Sequence, residues 1–172
     1  MNSLKTDISF LGREFLTWLW FKSEERGGTI MVPDAGDISV AFVRRIVLES
    51  GEGQYSETVV CQGYHADLRE AKAALREGKK IKEARLRMGV GAEEWEFTFK
   101  ADEFQFQSLK LPTIVKFAEE EGDGEGRILE RIYLLETALR TMEQLFSLFL
   151  NKRLLPEWLS EELPRIQHWM NR

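Results

Sequence analysis

Residues 81–100, IKEARLRMGVGAEEWEFTFK, decide the fold class. From Ile81 to Val90, Ala84, Leu86 and Met88 alternate with Glu83, Arg85 and Arg87; from Glu93 to Lys100, Trp95, Phe97 and Phe99 alternate with Glu94, Glu96 and Thr98. Successive side chains on an extended strand point to opposite faces, so each run reads as a strand with one apolar and one polar face. The short Gly89–Ala92 segment between them makes the pair antiparallel. A third run, Glu103–Leu111, follows Ala101-Asp102 and completes a meander. It carries Phe104 and Phe106, then slips phase to Leu109 and Leu111, which predicts a bulge.

Toward the N-terminus, Asp37–Glu49 places Ile38, Val40, Phe42, Ile46 and Leu48 on one face of a long strand, and Thr29–Val32 is a short β-prone segment. After the Ser50–Gly53 turn, Tyr55–Gln62 reads as the hairpin partner of that long strand. Asp67, with Glu70 three residues on, has the form of a capping box, and Gly78 stands where a left-handed helix C-terminus is wanted. Phe10–Glu25 spaces Leu11, Phe15, Trp18, Leu19 and Lys22 as a helix, with Leu16, Trp20 and Phe21 widening the apolar stripe. Such a helix is buried on more than one side and needs a deep core or a partner.

Toward the C-terminus, residues 118–126 (AEEEGDGEG) read as an acidic, glycine-rich loop. A long helix runs from Arg127 to about Asn151, with Ile128, Ile132, Leu135, Leu139, Met142, Phe146 and Phe149 on one stripe. Pro156 and Pro164 punctuate a helical tail over 151–172. With no internal repeat and no linker composition, residues 1–172 form one α+β domain, an antiparallel sheet of hairpins and a meander packed against long apolar helices.

The single cysteine, Cys61, excludes an internal disulfide framework and fits a reducing compartment. The polar N-terminus and the interrupted apolar run after it match neither a signal peptide nor a membrane span. The sequence therefore points to a soluble, cytoplasmic protein with no membrane partner.

No nucleophile stands beside an oriented base. Cys61 and His65 are four apart, but a strand-to-helix turn separates them and no further Cys or His supplies two more metal ligands. The carboxylates of 119–125 lack the spacing of a calcium loop, and Gly51-Glu52-Gly53 joins two strands rather than opening a helix. Catalytic and metal-binding residues are expected to be absent, no cofactor is implied, and the protein reads as a non-enzyme.

A basic segment stands out instead. Between Asp67 and Val90 lie Arg69, Lys72, Arg76, Lys79, Lys80, Lys82, Arg85 and Arg87, giving +4 in a chain of net charge −5. Arg69, Lys72 and Arg76 share one helix face at i, i+3, i+7, and Arg85 and Arg87 share the polar face of the following strand. One continuous cationic strip suited to the phosphates of double-stranded DNA is the expectation.

The order Asp67-Leu68, the helix ending in Gly78-Lys79-Lys80, the strand with Leu86, the strand Glu94-Trp95-Glu96-Phe97-Thr98-Phe99, Phe106–Leu111 and the apolar helix Ile128–Leu150 resembles the C-terminal half of the recombination-associated RdgC family. The run from Phe10 to Phe21 is similar to the matching segment of its divergent bacterial members, so the resemblance covers about residues 8–150. It implies a cytoplasmic, nucleoid-associated protein that binds DNA with little sequence preference, forms a ring-shaped homodimer and restrains a recombinase. The family's N-terminal half has no counterpart here. The other reading is a protein-interaction or oligomerisation module whose interface uses Phe15, Trp18, Trp20, Phe146 and Phe149.

Overall fold

A computed structural model describes residues 8–51, 53–63, 68–113 and 124–172. Asp67, His65 and most of the acidic 118–126 segment lie outside the described residues. In chain order the elements are helix α1 (Ile8–Glu24), strands β1 (Thr29–Val32), β2 (Gly36–Ser50) and β3 (Glu57–Gln62), helix α2 (Leu68–Arg76), strands β4 (Lys80–Val90), β5 (Glu93–Lys100) and β6 (Gln105–Lys110), helix α3 (Gly124–Arg153) and helix α4 (Leu163–Met170). A π-helical turn, Trp158–Glu162, leads into α4. Gly124 to Gly126, read from sequence as the end of an acidic loop, belong to the first turn of α3.

The strands make one antiparallel six-stranded sheet in the order β1-β2-β4-β5-β6, with β3 also on β2. β1 pairs the first part of β2 (Thr29 opposite Ser39) and β3 the last part (Gln62 opposite Arg45). β4 pairs β5 through the Gly91-Ala92 turn, with Leu86 opposite Phe97 and Met88 opposite Trp95. The phase slip in β6 is a bulge: Ser108 and Leu109 face the single step between Glu96 and Thr98, and Ser108 takes φ 50°. α2 ends on Gly78 at φ 92°, where the Gly78 amide donates to the Leu75 carbonyl and the Lys79 amide to the Ala74 carbonyl. A left-handed residue closing a helix in this pattern favours glycine.

One face of the sheet carries the helices. Ile38, Val40, Ile46, Leu48, Ile81, Ala84, Leu86, Met88, Trp95, Phe97 and Phe99 point into a single apolar core shared with α1, α2, α3 and α4. Phe15 lies at its centre, its ring 5.2 Å from Phe146, 5.7 Å from Phe149 and 6.0 Å from Phe104. The residues after Arg153 pack back into this core: Trp158 stands 5.7 Å from Phe149, and Trp169 stands edge-on to Trp20 at 5.1 Å. Buried tryptophans find acceptors for their N–H groups. Trp95 Nε1 donates to the Leu134 carbonyl at 3.1 Å and Trp18 Nε1 to Glu162 at 3.0 Å.

This packing overturns the expected interface. Phe15, Trp18, Trp20 and Phe149 are at most 1% exposed, and Phe146 is part-buried against Phe104 at 4.8 Å. α1 is apolar on several sides because sheet, α3 and α4 all cover it, so these five residues are committed within one chain. Among the described residues, no helix is long and apolar enough to cross a membrane.

Candidate nucleic-acid interface

Among the described residues, the helices cover one side of the sheet and leave the other side uncovered. Ser39, Ala41, Arg45, Val60, Arg87 and Glu94, which alternate with core-facing neighbours, are all exposed. This face collects the polar half of the alternation in β4 and β5, and it is where the cations of the sheet accumulate.

The accumulation depends on a bulge in β2. Phe42 pairs with Leu86 and Ile46 with Ala84, so Val43, Arg44 and Arg45 together oppose Arg85 alone. Arg44 absorbs the mismatch at φ 61°, a left-handed conformation that non-glycine residues seldom adopt. Its guanidinium lies 3.8 Å from Glu96. Arg85 Nε donates to the same carboxylate at 3.1 Å, and Arg87 Nη2 is 3.7 Å away. Arg85 also reaches the Thr98 hydroxyl at 3.3 Å and the Ser108 carbonyl, in the β6 bulge, at 2.9 Å.

Partial burial of Glu96 works against its ionisation, but the Arg85 hydrogen bond and the fields of Arg44, Arg85 and Lys110 win, leaving its carboxyl below the usual range. Glu96 is therefore anionic at neutral pH and faces Arg44, Arg85, Arg87 and Lys110, while Arg87 Nε also lies 3.5 Å from Glu94. Arg45 beside them pairs with Glu83 at 2.7 Å. Arg44, Arg45 and Arg87 keep about half of their side-chain surface in solvent (53%, 45% and 43%). Arg85, at 11%, is the buttress.

The eight cations expected to form one strip are divided by the sheet. Lys72 on α2 lies on the helix side: its ammonium is 2.8 Å from Glu24 and 4.7 Å from the Trp169 ring centre, tying α2 to α1 and α4. Arg69 and Arg76 sit on exposed positions of α2, and Arg76 donates to the Met170 carbonyl at 3.4 Å. Lys79 is buried between Glu77 at 3.2 Å and Glu57 at 3.5 Å. Lys82 is held by Glu49 at 3.2 Å, and Lys80 is exposed at the start of β4. Of the eight, Arg85 and Arg87 are the two that meet Glu96 on the uncovered face. A continuous strip is thus not formed, because α2 and the polar face of β4 lie on opposite sides of the sheet. Arg44, Arg45 and Lys110 were not singled out in the sequence; the one trace of them is the run Val43-Arg44-Arg45, which interrupts the alternation of β2.

The arrangement offers fixed guanidinium donors over a polar sheet, which suits anionic oxygen atoms. Cys61 is buried, His168 is exposed on α4, and among the described residues no group of three or more His, Cys, Asp or Glu could hold a metal ion. No family, curated protein or solved structure matches the chain.

Proposed function

We propose that the chain binds double-stranded nucleic acid without sequence preference and without catalysis, laying the phosphate backbone on the uncovered sheet face. The observation that carries this reading is the convergence of Arg44, Arg85, Arg87 and Lys110 on a single carboxylate, Glu96, in a chain whose net charge is −5. An excess of cations held on one face of an acidic protein is the electrostatic footprint that phosphate contacts require. Arginine is also the side chain suited to forked contacts with phosphate.

Duplex rather than single strand follows from the chemistry of the face. The aromatic rings of β5 and β6, Phe97, Phe99 and Phe106, pack against one another at 4.7–5.5 Å on the helix side, so they supply no stacking platform for unpaired bases. The resemblance to the RdgC family adds a setting for this reading: recombination, with a recombinase as partner.

Binding of two labelled duplexes of unrelated sequence, measured by anisotropy over a range of salt, tests the proposal. Equal affinities are expected, with log K falling against log salt at a slope of about −3, as for three to four phosphate contacts. Arg44→Glu with Arg87→Glu should weaken both duplexes at least ~10-fold and flatten that slope. Arg69→Glu with Arg76→Glu should leave binding unchanged. Loss of binding in the α2 pair alone, or no binding by the unaltered chain at low salt, overturns it.

A further inference from the structure

The long helix α3 is anchored over only part of its length. Its first buried side chain is Leu134, so the ten residues Gly124–Tyr133 run for about 15 Å with none buried. Along α3 the apolar positions Ile128, Ile132, Leu135, Leu139, Met142, Phe146 and Phe149 follow spacings of four and three without a break. The C-terminal part of this seam is covered by the chain itself: Met142 and Phe149 are buried and Phe146 packs on Phe15. The N-terminal part is not. Ile128, Ile132, Leu135 and Leu139 are 41–59% exposed.

We propose that this free part of the seam is a self-association site, in which two copies of the chain pair α3 in parallel as a short coiled coil. A helix whose first turns bury nothing in their own fold is marginal in water, and an uninterrupted four-three apolar repeat is the pattern that a second helix covers. On a wheel of 100° per residue, the seam lies about a quarter-turn from the direction of Leu134, Ala138 and Leu145, which face the core. A partner can therefore approach without displacing the fold.

Charge selects both occupant and direction. With Ile132 and Leu139 at the a positions and Ile128 and Leu135 at the d positions, Arg131 is at g and Glu136 at the following e. In a parallel pair, g of one helix faces e of the other five residues on, so Arg131 meets Glu136 of the second copy, twice by symmetry. The other flanking positions between Gly124 and Ala138 are Leu129 and those two residues themselves, so no like charges meet. An antiparallel pair turns g toward g and e toward e, and the Arg131–Glu136 match is lost. The seam is only two heptads long, so association on the order of micromolar is expected.

Sedimentation of the full chain across micromolar concentrations should show a monomer–dimer equilibrium. Ile132→Lys, at an exposed position that leaves the thermal melt in place, should weaken it at least ~10-fold. Arg131→Glu or Glu136→Arg alone should weaken it ~3-fold or more, and the double reversal should restore it. Leu139→Cys should cross-link copies on oxidation, the sole native cysteine being buried. A chain monomeric throughout, whether because its own residues or an unrelated protein cover the stripe, overturns the proposal. So does a dimer indifferent to Ile132→Lys, or one that cross-links only when Ile128→Cys and Leu139→Cys chains are mixed. These readouts are independent of duplex binding.

Discussion

Gly12 of α1 sits against the backbone of Ala101 at the end of β5, so close that a Cβ at Gly12 would stand 2.1 Å from the Ala101 carbonyl oxygen. The obstacle is main chain and cannot swing aside. It sets how near α1 lies to the sheet, and with it the depth of the aromatic core that Phe15 fills.

Gly12→Ala is therefore expected to destabilise the fold. Alanine gains about 1 kcal/mol in intrinsic helix propensity, but forcing α1 off the sheet costs more, about 2–4 kcal/mol. Urea denaturation should show a net loss of about 1–3 kcal/mol with little change in slope. A stabilised variant would mean that α1 is not held at this distance.

One residue further, Arg13 joins the same sheet end by charge. Its guanidinium donates to both Asp102 oxygens at 2.6 and 2.7 Å and to Glu49 at 2.9 Å. The Arg13 hydrogen bond, opposed by partial burial, holds the Asp102 carboxyl below its ordinary 3.8. A carboxylate depressed on folding stabilises the protein above its unfolded pKa, and that contribution is lost as pH falls through the folded value. The melting temperature should thus drop as pH is lowered below about 4, and Asp102→Asn should flatten that part of the profile while lowering stability at pH 7. Parallel pH profiles for the two proteins would exclude Asp102 as a contributor.

Glu162 is the acid that the buried end of α1 relies on. Trp18 Nε1, Lys22 Nζ at 2.7 Å and Arg165 Nη1 at 3.1 Å all converge on its carboxylate. Glu162→Ala leaves the Trp18 N–H unpaired inside the core, while Lys22 keeps Glu25 at 3.0 Å. A loss of about 3 kcal/mol is expected, and Glu162→Gln, which retains an acceptor, should lose about half as much. Equal losses for both variants would assign the effect to charge and not to the indole bond.

Glu96 has the opposite character, because it restrains the cations around it. Glu96→Gln should cost about 1–2 kcal/mol of stability by loosening Arg85. It should also strengthen duplex binding several-fold at low salt, since Arg44, Arg85 and Arg87 no longer share a counter-charge. Weaker binding in a variant that remains folded would place the phosphate elsewhere.

Much of the sheet was legible from the chain alone. The alternation of 81–100 marks β4 and β5, Gly78 marks the end of α2, and the slip from Phe106 to Leu109 marks the β6 bulge, because each depends on neighbours a few residues away. The β2–β4 pairing was not legible, nor was the bulge at Val43-Arg44-Arg45, since which residue meets Arg85 is settled only when two strands about forty residues apart are set in register. The basic strip failed for a related reason. The spacing of Arg69, Lys72 and Arg76 does place them on one helix face, but spacing within a helix carries no information about which side of a sheet that helix will cover. The tryptophans of α1 misled likewise: an all-round apolar helix looks the same whether a partner covers it or the chain's own later residues do.

Those later residues impose an order on biogenesis. α1 emerges from the ribosome early, yet Trp18 and Trp20 gain their final neighbours only when the stretch from Phe149 to Trp169 has been synthesised. Vectorial folding from the N-terminus cannot finish here. A nascent chain stalled anywhere before residue 150 would present one of the most apolar helices of the protein to solvent, a substrate for chaperones or proteases, whereas one released past residue 170 would shut it away at once.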